Sequence, residues 1–399
     1  MSGGLLELVA HGEQDKYLIG SPQISFFKTV YKRHTNFSLE SKLVYFQEKL
    51  DYDTNLNCII PKQGDLINNM VLLLELENIN QDEISYVNNI GYNIIDSISI
   101  YIGNTLIDTH TGDWLNIWSE LTTPEGKKQG LNTMIGRHQP ELNSLPINKG
   151  GKFVIPLYFW FTQNNGLSLP LVALQYHEVK ITLKINKFNR LWKTTNKNIE
   201  PSKNYKILNC NLLIDYIYLD NQERKFFAQN NHQYLIKQVQ INKDNISFKN
   251  NTKKRINLNF KHPVTELIWY LKRQDVNLTK DWFNYSNSLN YPYSDSLING
   301  QILLNGMDRT IELDYKYLRL YQPFKRHTNI PDSFIYLYSF SLNPEEYQPS
   351  GSCNFSRVDN SQLVLEIQPN LPDLDTVIFG VNYNILRIQC GMGGLAYVN

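Results

Sequence analysis

The residues best suited to chemistry in this chain are few, and their spacing does not serve it. Glu345-Glu346 and Asp373-Leu374-Asp375 are the kind of paired carboxylates that cleave a glycosidic bond, one as acid and one as nucleophile or base. That reaction needs a fixed separation across a cleft, whereas acids adjacent on a polar stretch read as solvated surface. His177-Glu178 opens like a zinc-protease motif, but no second histidine stands four positions after the first, and the histidines other than His34 and His177 are scattered. Asp51-Tyr52-Asp53-Thr54-Asn55 begins like a calcium loop, yet Leu56 replaces the turn glycine and Lys62 stands where the bidentate glutamate belongs. Gly391-Met392-Gly393-Gly394-Leu395-Ala396 has dinucleotide-loop spacing with no helix after it to hold a pyrophosphate, and Gly126-Lys127 lacks the rest of a phosphate loop. Pro349-Ser350-Gly351-Ser352-Cys353 is not a nucleophile elbow. The reading is of a non-enzyme with no catalytic residue, no cofactor-binding residue, no metal ligand and no cofactor.

Composition agrees. Of 399 residues, 42% are hydrophobic and only 19% charged, the balance of a folded chain rather than a disordered one. A net charge of +1 gives no bulk attraction for nucleic acid. Local basic clusters at Lys32-Arg33, Lys253-Lys254-Arg255 and Lys272-Arg273 read as solvated or interface charge, and no direct nucleic-acid partner is expected. Apolar runs such as Met70-Val71-Leu72-Leu73-Leu74 are far short of a membrane span. The opening Met-Ser-Gly-Gly-Leu-Leu-Glu lacks a basic n-region, so cytosolic synthesis is expected. Cys58, Cys210, Cys353 and Cys390 are widely scattered and read as buried free thiols. Six Asn-x-Ser/Thr sequons, at Asn36, Asn245, Asn250, Asn277, Asn284 and Asn354, are about what this asparagine content yields by chance, and they read as unmodified.

The elements that position these residues are mostly strands. Short β-branched or aromatic runs bounded by turn residues recur at 43–46, 70–76, 94–102, 153–161, 179–185 and 208–219. A second series follows at 234–241, 256–260, 267–271, 297–304, 334–340, 363–367 and 377–388. Gly103-Asn104 and Asn305-Gly306 are hairpin turns at comparable places in the two halves. A helix is predicted over Asp113–Leu121, where apolar residues fall at i, i+3, i+4 and i+7. The polar, helix-prone stretch from Leu219 to Gln229 divides the halves. The pattern predicts an all-β chain of two tandem eight-stranded jelly-roll sandwiches with short helices in the connecting loops. Its expected parts are an N-terminal arm (1–25), a first jelly roll (26–219), a linker (220–232) and a second jelly roll (233–399). Lys-Arg-His-Thr-Asn occurs at 32–36 and 325–329, but at inequivalent places in the two series, which argues against an internal duplication.

Several segments together resemble the double jelly-roll major capsid proteins of the nucleocytoplasmic large DNA viruses. They are Gly3–Asp15, Pro22–Lys28 and Tyr31–Phe37; Asp113–Trp118 and Leu167–Val179; Leu219–Arg224 with Phe227-Ala228-Gln229 and His232; His262–Trp269; Tyr338–Pro344; Gln348–Arg357; Tyr383–Ile388; and Gly391–Tyr397. The resemblance implies a structural major capsid protein forming homotrimeric, pseudo-hexagonal capsomers that tile an icosahedral virion shell. A paralogous minor capsid protein and, further off, a carbohydrate-binding jelly roll are the alternatives. Implied partners are the chain itself, neighbouring capsomers, minor capsid and penton proteins, and a nearby inner virion membrane. The arm, with Leu5, Leu6, Leu8 and Val9, is expected to contact neighbours at the inner base. Gln348–Arg357 is expected to be a rigid architectural loop in which Arg357 pairs with Asp359.

Overall fold

Alternation of apolar and polar residues builds the sheets. Val179–Ile185 places Val179, Ile181, Leu183 and Ile185 inward and Lys180, Thr182 and Lys184 outward, the period of a half-buried strand. The computed structural model describes residues 2–142, 145–196, 199–246 and 252–398. Two compact units divide the chain, Met1–Asn36 and Phe37–Asn399. The first carries a short helix, α1 (Gly3–Val9), with Leu5, Leu6, Leu8 and Val9 exposed, and a helical turn at Lys16–Ile19.

In the second unit the main strands of the first half are β1 (Phe37–Tyr45), β2 (Asn55–Ile59), β3 (Leu66–Leu76), β4 (Ile95–Ile102), β5 (Thr105–Thr111), β6 (Gly151–Pro156), β7 (Val179–Ile185) and β8 (Ile207–Leu219). Those of the second half are β9 (His232–Ile246), β10 (Lys253–Asn257), β11 (Pro263–Arg273), β12 (Leu297–Leu304), β13 (Met307–Asp308), β14 (Ile335–Ser339), β15 (Ser361–Ile367) and β16 (Leu374–Gln389). Sheet order is β1-β8-β3-β6 and β2-β7-β4-β5 in the first half, then β9-β16-β11-β14 and β10-β15-β12-β13 in the second. The second series repeats the first, strand for strand. Every one of these pairings is antiparallel. Short accessory strands add to this frame: Leu169–Pro170 on β3, Cys353–Asn354 on β11, Leu313–Asp314 on β12, Met392–Leu395 on β16, and Ile84–Tyr86 with Trp192–Thr194. These are two jelly rolls; the core of the first extends beyond its own sheets to Ile236, Leu386 and Ile388 of β9 and β16, and the second has a further core between its two sheets.

Both predicted hairpins are present. Asn305 (φ 51°) and Gly306 (φ 78°) join β12 to β13 with two left-handed residues, the backbone that Asn-Gly favours. The helix α2 (Gly112–Thr122) and the linker helix α3 (Asn221–Gln229) stand where the sequence puts helical pattern.

Three expectations need correction. The run 153–161 is a strand only to Pro156, after which the chain turns into a helical turn at Trp160–Gln163, because proline offers no N–H to continue the ladder. The strand β2 escaped the pattern because only Leu56 and Cys58 of Asn55–Ile59 are buried and asparagine flanks each. The thiols are not all buried: Cys58 and Cys210 are, but Cys353 is half-buried and Cys390 is exposed. Cys390 (φ 51°) and Gly391 (φ 77°) form the tight turn between β16 and Met392–Leu395, which turns that side chain outward. Burial also pushes the Cys58 thiol up to about 11 and the Cys210 thiol up to about 12. Native protein treated with a maleimide at pH 7 is therefore expected to label Cys390 first and to leave Cys58 and Cys210 unmodified, as peptide mass mapping would show; labelling of Cys58 or Cys210 at the same rate would contradict this packing.

Candidate functional site

What fixes one roll against the other is the feature with functional weight: Ile236, Leu386 and Ile388 of the second roll join the first roll's core, and α2 makes a second contact. Thr111 caps α2, its Oγ1 accepting from the Trp114 N–H at 3.3 Å. The predicted stripe of Trp114, Ile117, Trp118 and Leu121 does not enter the core of its own roll. It lies on the outer face of the second roll's sheet, against Ile268 and Tyr270 of β11, Ile335 and Leu337 of β14, and Val377, Phe379 and Val381 of β16. Cross-strand register puts Ile241, Phe379, Ile268 and Leu337 in one row beneath the helix. Trp114 and Trp118 stack with centroids 5.3 Å apart, and Trp114 sits 5.3 Å from Phe379. Covered on both faces, β11 is buried from Val264 through Leu271 without a break, whereas its counterpart β3 alternates.

Polar groups pin the seam. Glu120, buried on α2, accepts from the Ser333 N–H at 3.0 Å and the Ser333 hydroxyl at 2.8 Å. Asn329 donates from its backbone to Leu121 O at 2.9 Å and from its amide to Glu120 O at 3.2 Å. On the other side Trp282 donates from Nε1 to Arg190 O at 2.8 Å while the Arg190 guanidinium lies 4.2 Å over the Trp282 ring. Lys280 Nζ sits 3.5 Å from the Trp192 ring centroid and donates to Asn189 O at 2.9 Å; burial lowers its ammonium to about 8.

Beside the seam lies a buried ionic triad. His327 places Nε2 2.8 Å from Glu266 Oε2 and Nδ1 2.9 Å from Glu345 Oε1, and its ring meets Trp118 edge-on. Burial alone would lower the imidazole, but the charge of Glu266 and the hydrogen bonds to both carboxylates outweigh it and raise it to about 9. The side chains of His327 and Glu266 are fully buried, so at neutral pH an imidazolium bridges two carboxylates. Burial pushes Glu345 up, and the His327 and Thr328 hydrogen bonds more than offset this and hold it low. Lys237 donates to Glu346 O at 2.9 Å and to Pro344 O.

The candidate chemical residues are thus dispersed. Glu345 is engaged with His327 and Thr328, and Glu346 is exposed. Asp375 accepts from Gln274 at 2.8 Å. His177 Nδ1 lies 3.0 Å from Gly393 O, and Gly391–Leu395 is a turn and strand. Among the described residues no three histidine, cysteine, aspartate or glutamate side chains gather as a metal site. Lys272 lies 3.7 Å from Asp113, Arg273 grips Asp275 at 2.8 and 2.6 Å, and Lys253 pairs with Glu312, while Lys32 and Arg33 are exposed. Arg357 and Asp359 are both exposed, and among the described residues no ion pair joins them, because the short helical turn Phe355–Arg357 buries only Phe355. The loop is still held, by Ser350 on Ser341 and Asn343. The Asn284 amide is buried and bonded to Ser288 O, Asn277 and Asn354 are exposed, and the Asn250 sequon lies outside the described residues.

Comparison with known proteins agrees with this architecture. The family described as Major capsid protein N-terminus matches residues 25–220, and the one described as Large eukaryotic DNA virus major capsid protein matches residues 223–394. The chain is 37% identical to a major capsid protein of Pyramimonas orientalis virus and 32% identical to that of Paramecium bursaria Chlorella virus 1, each match covering 100% of both chains. It superposes on a subunit of the PBCV-1 virus capsid with a TM-score of 0.81 at 29% identity, over 94% of this chain and 100% of that one. The Faustovirus major capsid protein shares the fold, with a TM-score of 0.76 at 12% identity over 92% and 93% of the two chains. With both rolls matched end to end, the chain belongs to the major capsid proteins of large eukaryotic DNA viruses, shell-building proteins of the virion and not enzymes.

Proposed function

We propose that the chain assembles as a homotrimer whose six jelly rolls form a pseudo-hexagonal capsomer tiling an icosahedral shell. The observation that carries this reading is the strand-for-strand repetition of two rolls packed against each other, which gives three copies six similar walls. The parts are an N-terminal arm (1–25), a first roll (26–219), a linker (220–232) and a second roll (233–399); no ladder pairs a strand of Phe37–Leu219 with one after His232 among the described residues. The chain works through contacts with itself, neighbouring capsomers, and minor capsid and penton proteins close to an inner virion membrane, and not through a catalytic, cofactor or metal site among its described residues. Synthesis and assembly belong to the host cytoplasm. The arm, none of whose described residues is buried, supplies contacts beyond the trimer. Negative-stain images of the purified chain are expected to show hexagonal particles, and deletion of residues 2–20 to preserve those particles while blocking shell formation. Particles without hexagonal outline would refute the capsomer, and normal shells after deletion would refute the role of the arm.

A further inference from the structure

The unit Met1–Asn36 has no interior: none of its described residues is buried, although many are large and apolar. Tyr17, Phe26 and Phe27 are 93%, 88% and 98% exposed, and Leu18, Ile19 and Tyr31 stand open as well. Single apolar side chains on a surface are ordinary, but this density along one segment marks a contact surface. The helical turn Lys16–Ile19 is too short to form an apolar face, and no helix or strand follows before Phe37. Phe26 and Phe27 sit together in a turn, where Ser25 Oγ accepts from the Phe27 N–H at 3.3 Å. A groove on a protein reads side chains at helical or alternating spacing, and these adjacent residues have neither. A lipid interface sets no such period, since it takes aromatic rings from any segment that lies along it.

The charge of the same stretch selects the kind of surface. Residues 16–36 contain Lys16, Lys28, Lys32 and Arg33 and no aspartate or glutamate, a charge of +4 in a chain whose total is +1. Lys16 is paired with Glu13 at 2.6 Å, but among the described residues no carboxylate pairs with Lys28, Lys32 or Arg33. Lys28 directly follows Phe27, and Lys32-Arg33 directly follows Tyr31, so these cations are carried beside exposed rings. Rings at the level of the headgroups with cations beside the phosphates are what an anionic bilayer holds at its surface.

We infer that residues 16–36 form a lipid-binding segment. The side chains of Tyr17–Ile19 and of Phe26-Phe27 enter the headgroup boundary of an anionic bilayer, and Lys28, Lys32 and Arg33 meet its phosphates. The inference rests on the reading of the arm as a contact beyond the trimer, and it makes that contact a direct one with lipid.

Co-sedimentation of the full-length chain tests it, with vesicles of phosphatidylserine and phosphatidylcholine in equal parts and with vesicles of phosphatidylcholine alone. Binding is expected to the mixed vesicles only, and to fall steeply between about 0.1 and 1 M salt as the charges are screened. Each base near an anionic surface is worth about fivefold in affinity, so Lys32→Gln with Arg33→Gln should weaken binding about 25-fold. Phe26→Ser with Phe27→Ser should weaken it at least tenfold. All four changes lie outside Phe37–Asn399, so the circular dichroism spectrum and the particles seen by negative stain should not change. Insertion is read separately with Phe27→Trp, whose fluorescence brominated acyl chains should quench, while the six native tryptophans, the first of them Trp114, are spared. Failure to bind either vesicle, equal binding to both, or binding that survives both double changes overturns the lipid role and leaves the capsomer standing. Purified chain that forms no hexagonal particles overturns the capsomer instead, whatever the vesicles show.

Discussion

Replacing Trp118 by alanine is expected to cost about 3 to 5 kcal/mol of unfolding free energy, the range for removing a large aromatic from a packed site. Trp118 is buried against the second roll, stacked on Trp114 and edge-on to His327. The loss falls on the seam and not on either core, so the form of unfolding should change along with its midpoint. Seventeen buried residues of the second roll pack in a cluster of their own, so weakening the seam should split one cooperative transition into two. Urea titrations followed by tryptophan fluorescence and by circular dichroism, at one protein concentration, read this directly. A single coincident transition shifted by less than about 1 kcal/mol would mean that the rolls are coupled elsewhere.

His327→Leu should be comparably harmful at pH 7, about 3 to 5 kcal/mol, because it leaves Glu266 and Glu345 facing each other without the cation between them. The native protein should show the linked pH dependence. His327 is held at about 9 in the folded chain against an ordinary 6.5, so it binds a proton more tightly folded than unfolded. Its stabilisation is complete below pH 6.5 and is lost as pH rises through about 9, a total of about 3 kcal/mol. Lys193 and Lys280, which burial lowers to about 8, act in the opposite sense above pH 8. The difference between native and His327→Leu protein cancels them. That difference should shrink steadily from pH 6.5 to 9.5, and a constant difference would show that His327 is neutral in the fold.

The fold was legible where one local pattern suffices. Val179–Ile185 and Leu297–Leu304 have the same bounds in sequence and structure, and the Asn305-Gly306 turn follows from the left-handed backbone those residues accept. The apolar stripe of α2 was legible as a helix face, but not its target, because the sheet it covers is assembled from residues 110 or more positions away. The ionic triad was hidden for the same reason. Glu266 lies 61 residues from His327, and the two meet only because β11 pairs with β14 next to the end of the 317–326 helix. The Lys325–Asn329 pentapeptide contains His327, yet its copy at Lys32–Asn36 is exposed, so repetition in sequence carried no information about burial.

Self-assembly of this chain into a wall unit fixes its mass in solution. Size-exclusion chromatography with light scattering on the purified full-length chain tests it most directly. A main peak with the mass of three 46.6 kDa chains, stable to dilution, is expected. A peak at 46.6 kDa across the whole concentration range would contradict it.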